Sequence, residues 1–111
     1  MEFKKRKIYL SGPISGHDID ERRKEFKKIQ NAFEKEGHEV VNPMENGLPE
    51  DATTNQHMKR DIELLLTCDS IYMMKKWTHS AGCITEFHVA HAIGLEIMFE
   101  QEIDNGIVRF V

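Results

Sequence analysis

The chain has 111 residues, of which 40% are hydrophobic, so it is long enough for one core and too short for two; residues 1–111 are expected to form a single soluble domain. A formal net charge of −4 argues against a protein that binds nucleic-acid polymers, although Lys4 to Lys7 form a short basic run. Two cysteines are too few for a disulfide scaffold, and no apolar run is long enough to span a membrane or resembles a signal peptide. We therefore expect a cytoplasmic protein.

The first half of the chain predicts a strand, a loop, a helix and a second strand. Residues 7–11 form a short apolar run typical of a buried strand, and residues 12–16 are rich in turn formers. A helix is predicted from Asp18 or Asp20 to Glu36, followed by a short strand from His38 to Asn42. Residues 44–53 have no period and predict a surface loop, which could act as a lid.

A second helix is predicted from Thr54 or Asn55 to Thr67. Its apolar face is expected to consist of Met58, Ile62, Leu65 and Leu66. Asp61 borders this face, so its carboxylate needs either solvent or a partner. Helical position alone leaves two interpretations of Asp61 open: a carboxylate at the rim of the apolar face that pairs with Lys or Arg, or a functional carboxylate.

The second half continues the alternation of strands and helices. Residues 69–74 predict a third strand, residues 75–79 a loop, and residues 80–93 a helix that Gly94 ends. A fourth strand is predicted over residues 95–99, and Asp104-Asn-Gly106 predicts a turn into a last edge strand. His88 and His91 have no partner at metal-ligand spacing, so no metal site and no cofactor is expected.

The segment Ser80-Ala-Gly-Cys-Ile-Thr-Glu86 is the strongest candidate for a functional centre. The Ser80 hydroxyl suits an N-cap, and Gly82 leaves the first helical turn open to a close ligand. Glu86 lies on the helix face shared with apolar residues such as Ala90 and Ile93, so its carboxylate is expected to be buried. Two interpretations remain open: an acid placed favourably near the helix N-terminus, or a nucleophile or general base.

Alternating strands and helices predict a three-layer α/β/α sandwich with a flavodoxin-like (Rossmann-like) open sheet of four to five mostly parallel strands. Ligands of such sheets bind beyond the carboxyl ends of the strands. Here those ends are the loop from Ser11 to Gly16, the chain after Val41, and the loop that holds Trp77 and leads to Ser80. Tyr9, Asp61 and Glu86 are expected to face this crevice.

With these motifs in order, the chain resembles the nucleoside 2-deoxyribosyltransferase-like superfamily, and most closely its DUF4406 branch. The resemblance covers nearly the whole chain. It is carried by Ile8 to Gly16, Asn42-Pro43, Met58 to Asp61, Cys68-Asp69 and Trp77 to Glu86. It implies that Glu86 attacks the anomeric carbon of a deoxyribosyl group, that Asp61 assists at the base and the nucleophile, and that Tyr9 belongs to the same site. Asp69, which begins a strand, is interpreted as structural.

Further binding residues are expected around these three. The loop residues Ser11, Gly12, Ile14, Ser15 and Gly16 are expected to cradle a phosphate or sugar, together with Ser80 and Gly82. Arg22 or Arg23 would reach this cradle only if the start of the first helix bends inward. Candidates on the base side are Asn42, Pro43 and Trp77, although Trp77 also suits the core.

The resemblance also indicates the reaction. Transferases that act on free nucleosides have a carboxylate six positions before the nucleophile, where this chain has Ser80; a serine is more similar to the branch that hydrolyses deoxynucleoside 5′-monophosphates. Cleavage of an N-glycosidic bond in a small nucleoside or nucleotide is therefore predicted, with a non-catalytic nucleotide-binding module as the alternative. The sequence fits a response-regulator receiver or an FMN flavodoxin less well. A homo-oligomer, a dimer or larger, is expected, with residues 97–111 of a neighbour completing the pocket.

Overall fold

A computed structural model describes residues 3–100 of the chain and, for the backbone alone, residues 107–109. The strands are β1 (Lys7–Ser11), β2 (Glu39–Val41), β3 (Ser70–Met73), β4 (Glu96–Glu100) and β5 (Ile107–Arg109). The helices are α1 (Ile19–Lys35), α2 (Thr54–Leu65) and α3 (Ala81–Ala92). Short 3₁₀ turns span Pro43–Glu45 and Trp77–His79.

The strands form one sheet in the order β2-β1-β3-β4-β5, in which β5 alone runs antiparallel to its neighbour. The predicted flavodoxin-like α/β/α sandwich is thereby confirmed. From β1 the chain crosses to β2 on one side, and β3 then lies on the other side of β1. The strand order therefore reverses at β1, and the crevice beyond the ends of β1 and β3 is where such sheets bind ligands.

Strand alternation divides the core into two layers. Side chains at even positions of β1, Ile8 and Leu10, face α1 and pack with Phe26 and Phe33. Tyr9 faces the opposite side, toward α2 and α3, and belongs to the cluster that includes Leu65, Cys68, Ile71, Met73, Cys83 and Ala90. Because successive side chains of a strand point to opposite faces, Ser11 shares the face of Tyr9.

Polar side chains fix the start of each helix. Asp18 caps α1 by accepting from the amides of Asp20 and Glu21, and Thr53 forms a capping box with Gln56 at the start of α2. Ser80 caps α3, as predicted, by accepting from the Cys83 amide at 3.2 Å. Within residues 3–100, no helix is both long enough and apolar enough to cross a membrane.

The structure corrects the predicted elements near helix ends. Leu66 was expected on the apolar face of α2 and Ile93 on that of α3, but both side chains are exposed. The reason is that α2 ends at Leu65 and α3 at Ala92, so these two residues are caps that turn away from the core. The predicted turn at residues 104–106 and most of the segment 97–111 beyond β4 lie outside the described residues.

Asp69 ties the start of β3 to β1. Its two carboxylate oxygens each accept from the backbone amide of Lys7 at 3.2 Å, and one also accepts from the Ser70 hydroxyl at 2.9 Å. These contacts lie at the amino ends of the strands, away from the crevice, which supports a structural role for Asp69.

Gly12 follows β1 where the backbone passes close to the core. A Cβ at this position would lie 2.6 Å from Met74 Sδ and 3.1 Å from Phe26 Cζ. Both distances are shorter than side chains normally tolerate, so with any other residue Met74, Phe26 or the loop after β1 must shift. Close packing therefore favours glycine here, independently of any ligand.

Gly12→Ala should lower the free energy of unfolding by about 1–3 kcal/mol, because the added methyl group overpacks this contact. Chemical denaturation measures the change. Gly82→Ala is the matched control: its Cβ would lie 3.7 Å from Met58 Sδ, and alanine suits a helix, so stability should stay within about 1 kcal/mol of the original. An equal loss at both glycines would contradict the packing explanation.

Candidate functional site

Glu86 holds a buried carboxylate between α3 and β1, with 6% of the residue exposed. The Tyr9 hydroxyl donates to Oε2 at 2.5 Å and the Ser11 hydroxyl donates to Oε1 at 2.7 Å. Tyr9 and Ser11 reach the same carboxylate because they are two residues apart on β1 and therefore share one face. The side chain is thus held by both oxygens in one orientation.

Burial sets the protonation of this group. The pKa of Glu86 is raised to about 7. Loss of solvation is the main cause and the charge of Asp61 adds to it, whereas the hydrogen bonds from Tyr9 and Ser11 act in the opposite direction. Burial and the neighbouring Glu86 raise the pKa of Tyr9, so its hydroxyl keeps its proton and remains a donor. Near neutral pH, Glu86 can therefore exchange between the acid and the carboxylate.

A cavity of about 470 Å³ opens beyond the carboxyl end of β1, and Glu86 forms part of its wall. Most of the residues predicted from the sequence line it. These are Tyr9, Gly12, Ile14, Ser15, Pro43, Asp61, Ser80, Gly82 and Glu86. The three residues expected to share one crevice, Tyr9 on β1, Asp61 on α2 and Glu86 on α3, are thus brought together.

Four predicted binding residues do not line this cavity. The Ser11 hydroxyl is engaged by Glu86, because the strand points it inward, and Gly16 lies further along the loop. Asn42 caps the following 3₁₀ turn by accepting from the Met44 amide at 2.9 Å. Trp77 stacks on Phe87 with ring centroids 4.9 Å apart and, half-buried, packs against the core layer under α3.

The two arginines of α1, Arg22 and Arg23, have different surroundings. Arg22 donates through Nε to the Pro13 carbonyl at 2.7 Å and lies over the Phe26 ring, so it stays outside the cavity. Arg23 lines the cavity and is held by Glu50 at 2.7 Å. Among the described lining residues, Arg23 is the only Lys or Arg. The cavity wall is otherwise acidic, through Glu50, Asp61 and Glu86.

The segment 44–53, predicted as a loop, forms one wall of the cavity through Met44, Asn46, Leu48, Glu50 and Ala52. Two ion pairs tie its outer side to α1: Arg23 with Glu50, and Lys27 with Glu45 at 3.2 Å. On its inner side, Arg60 of α2 donates through Nε to the Asn46 carbonyl at 3.1 Å. The segment is thus anchored to helices on both sides.

Asp61 is joined to two residues that the sequence analysis missed. The Asn46 side-chain amide lies 3.0 Å from Asp61 Oδ1 and 3.0 Å from His57 Nδ1. Burial raises the pKa of Asp61, and the hydrogen bond from Asn46 acts against this. Helical spacing could have identified His57, which lies one turn before Asp61; Asn46 carried only the signal of an Asn-Gly turn.

Within the part of the chain that the structure describes, no group of three or more His, Cys, Asp or Glu side chains could hold a metal ion. Glu86 is hydrogen-bonded to Tyr9 and Ser11, and Asp61 to Asn46, so this wall of the cavity can act on a ligand through hydrogen bonds and proton transfer.

Comparison with known proteins places this arrangement in a family. The family model described as a domain of unknown function, DUF4406, matches residues 6–99. No curated protein matches the sequence. The fold is similar to that of a 2-deoxyribosyltransferase from the psychrotolerant bacterium Bacillus psychrosaccharolyticus, with a TM-score of 0.68 and 26% sequence identity over 89% of this chain and 77% of that chain.

A second similar structure is a conserved protein from Enterococcus faecalis V583, with a TM-score of 0.66 and 22% identity over 93% of this chain and 69% of that chain. Both comparisons agree with the α/β fold described above. Because the family model covers most of the chain, the protein belongs to the DUF4406 family, and its fold is that of the 2-deoxyribosyltransferase.

Proposed function

We propose that the protein cleaves the N-glycosidic bond of a deoxyribonucleoside or of its 5′-monophosphate, with Glu86 as the nucleophile. The observation that carries this proposal is the Glu86 carboxylate, buried at the cavity wall and oriented through both oxygens by Tyr9 and Ser11. A carboxylate that served only the helix terminus would need neither burial nor two hydroxyl partners from another element. The similar 2-deoxyribosyltransferase supports the same class of chemistry.

The proposed reaction has two steps. In the first, ionised Glu86 attacks the anomeric carbon as the bond from carbon to the base nitrogen breaks, and the protonated carboxyl of Asp61 transfers its proton to the departing base. In the second, the Asp61 carboxylate takes a proton from water as the water oxygen attacks the anomeric carbon of the glycosyl ester. The sugar is released with a new hydroxyl, and ionised Glu86 and protonated Asp61 are regenerated; a second base in place of water would give transfer. Two carboxyls in different environments can divide these roles.

The cavity also supports a site for the sugar or its 5′-phosphate. The start of α3 at Ser80 and Gly82 and the loop residues Gly12, Ile14 and Ser15 line the wall near Glu86. Helix N-termini favour anions. Ser80, rather than a carboxylate, at this position favours hydrolysis of a 5′-monophosphate over exchange between free nucleosides. We propose no resident metal or cofactor for this reaction.

A non-catalytic nucleotide-binding module is the second candidate, because the same cavity and polar wall would serve binding alone. Incubation with a panel of deoxynucleosides and their 5′-monophosphates, followed by chromatography, separates the two. Release of free base supports the enzyme. Saturable binding without any base release would leave only the binding module.

Glu86→Gln should reduce the rate of base release by at least about 10²-fold while the fold persists, because the amide keeps the shape but not the negative charge. Asp61→Asn should show a similar loss, since both carboxyls act on one sugar. Asp69→Asn is the structural control, which should change stability more than turnover. Full activity in both the Glu86 and the Asp61 variants would leave the proposed mechanism without its residues.

The raised pKa of Glu86 predicts a pH-dependent stability. Because the folded state favours the protonated carboxyl, Glu86 stabilises the fold below about pH 4.5, its ordinary pKa. This stabilisation is lost as the pH rises through about 7. Relative to the wild type, Glu86→Gln should therefore gain about 3 kcal/mol of unfolding free energy between pH 4.5 and 8. Urea denaturation at each pH measures the difference. Parallel stability curves for the two proteins would contradict the burial of an ionisable carboxyl.

We also propose a homo-oligomer in which a second copy helps to enclose the ligand, because one chain leaves the cavity open to solvent. Light scattering at micromolar concentration should give the mass of a dimer or larger assembly. The mass of one chain would count against this proposal and leave the cleavage mechanism untouched.

A further inference from the structure

Every polar atom of the Asn46 side chain is hydrogen-bonded. The residue is 6% exposed, and its amide nitrogen contacts both Asp61 Oδ1 and His57 Nδ1 at 3.0 Å. Its Oδ1 accepts from the Leu48 amide at 3.0 Å. Its backbone carbonyl accepts from Arg60. Asn46 thus uses both hydrogens of its side-chain amide on two cavity residues of α2.

These contacts decide the orientation of the amide. The backbone N–H of Leu48 can only donate, so the atom that faces it must be Oδ1, and Nδ2 must face Asp61 and His57. With both of its hydrogens donated, Nδ2 requires His57 Nδ1 to accept. The neutral His57 ring therefore carries its proton on Nε2, the nitrogen on the opposite edge of the ring.

The contact with Asn46 also gives the two carboxylate oxygens of Asp61 different roles. Asn46 donates to Oδ1, so a protonated Asp61 carries its hydrogen on Oδ2, which has no hydrogen-bond partner among the described residues. His57 and Asp61 both line the cavity, one helical turn apart on α2. The Asn46 amide thus determines which atom of Asp61 and which atom of His57 is left to donate to a ligand.

We propose that Asn46 is a positioning residue: its side-chain amide holds Asp61 and His57 so that Oδ2 of Asp61 and Nε2–H of His57 face the leaving group. This inference rests on the proposed function and deepens it, since it assigns a second hydrogen-bond donor, His57, to the base. In the cleavage step, the proton moves from Asp61 Oδ2 to the departing base, while His57 donates a hydrogen bond and keeps its proton.

The tautomer of His57 tests the proposal without any substrate. Long-range ¹H–¹⁵N NMR spectra at a pH where the ring is neutral should show the Nε2–H form in the wild type. Asn46→Ala should give a mixture of both tautomers; Asn46→Ser, a smaller change that removes at least one donation, serves if the alanine variant does not fold. The Nδ1–H form in the wild type, or an unchanged Nε2–H form in the variants, would overturn the proposal.

Thr53→Ala is the matched structural control. It removes the capping box at the start of α2, and so loosens the helix that carries both residues, without touching the Asn46 contacts. Its spectra should keep the Nε2–H form of His57. A mixture of tautomers in this variant would mean that the helix, and not Asn46, fixes the ring, and would overturn the proposal.

Kinetics give the second readout. Asn46→Ala should lower kcat for base release by about 10- to 100-fold with a smaller change in KM, because the acid is misplaced in the transition state. In an Asp61→Asn background the same change should cost clearly less than in the wild type, since only the effect of Asn46 through His57 remains. Equal losses in both backgrounds would overturn the proposal. A wild type that releases no base would refute the proposed function, and the NMR result would still decide the positioning.

Discussion

The burial of one ionisable carboxylate is the constraint on which the site depends. Glu86 lies within a core layer, where a charge without partners would be strongly destabilising, and the hydroxyls of Tyr9 and Ser11 make it tolerable. Burial and hydrogen bonding oppose each other, which leaves the pKa near neutrality. The reactive character of the group therefore arises from the same contacts that join α3 to β1, so fold and chemistry share one set of hydrogen bonds.

Much of the fold could be predicted from the sequence because its signals are local. Apolar runs marked the parallel strands, Asp18 and Ser80 carried the chemistry of helix caps, and strand and helix alternation indicated the three layers. Helix ends were less predictable: the 3.6-residue period extends through Leu66 and Ile93, but the helices end one residue earlier in each case.

Site residues were predictable where they lie on a helix with a clear hydrophobic period, and not where they lie in aperiodic segments. The helical position of Glu86 indicated an inward carboxylate. In contrast, the partner of Asp61 is Asn46, a residue of an aperiodic segment whose path depends on tertiary contacts with α1 and α2. Ser11 and Trp77 show the converse: their types suited ligand binding, but strand alternation turns Ser11 toward Glu86, and stacking on Phe87 holds Trp77 against the core.

The two hydroxyl partners of Glu86 belong to a single strand, two residues apart, and this makes the site a reporter of strand register. A slip of β1 by one residue would present Leu10 with Ile8 or Gly12 to the carboxylate in place of Tyr9 and Ser11. None of these side chains can donate a hydrogen bond. A misaligned sheet would thus bury an unpaired acid, so that the carboxylate also discriminates against the wrong pairing of β1 during folding.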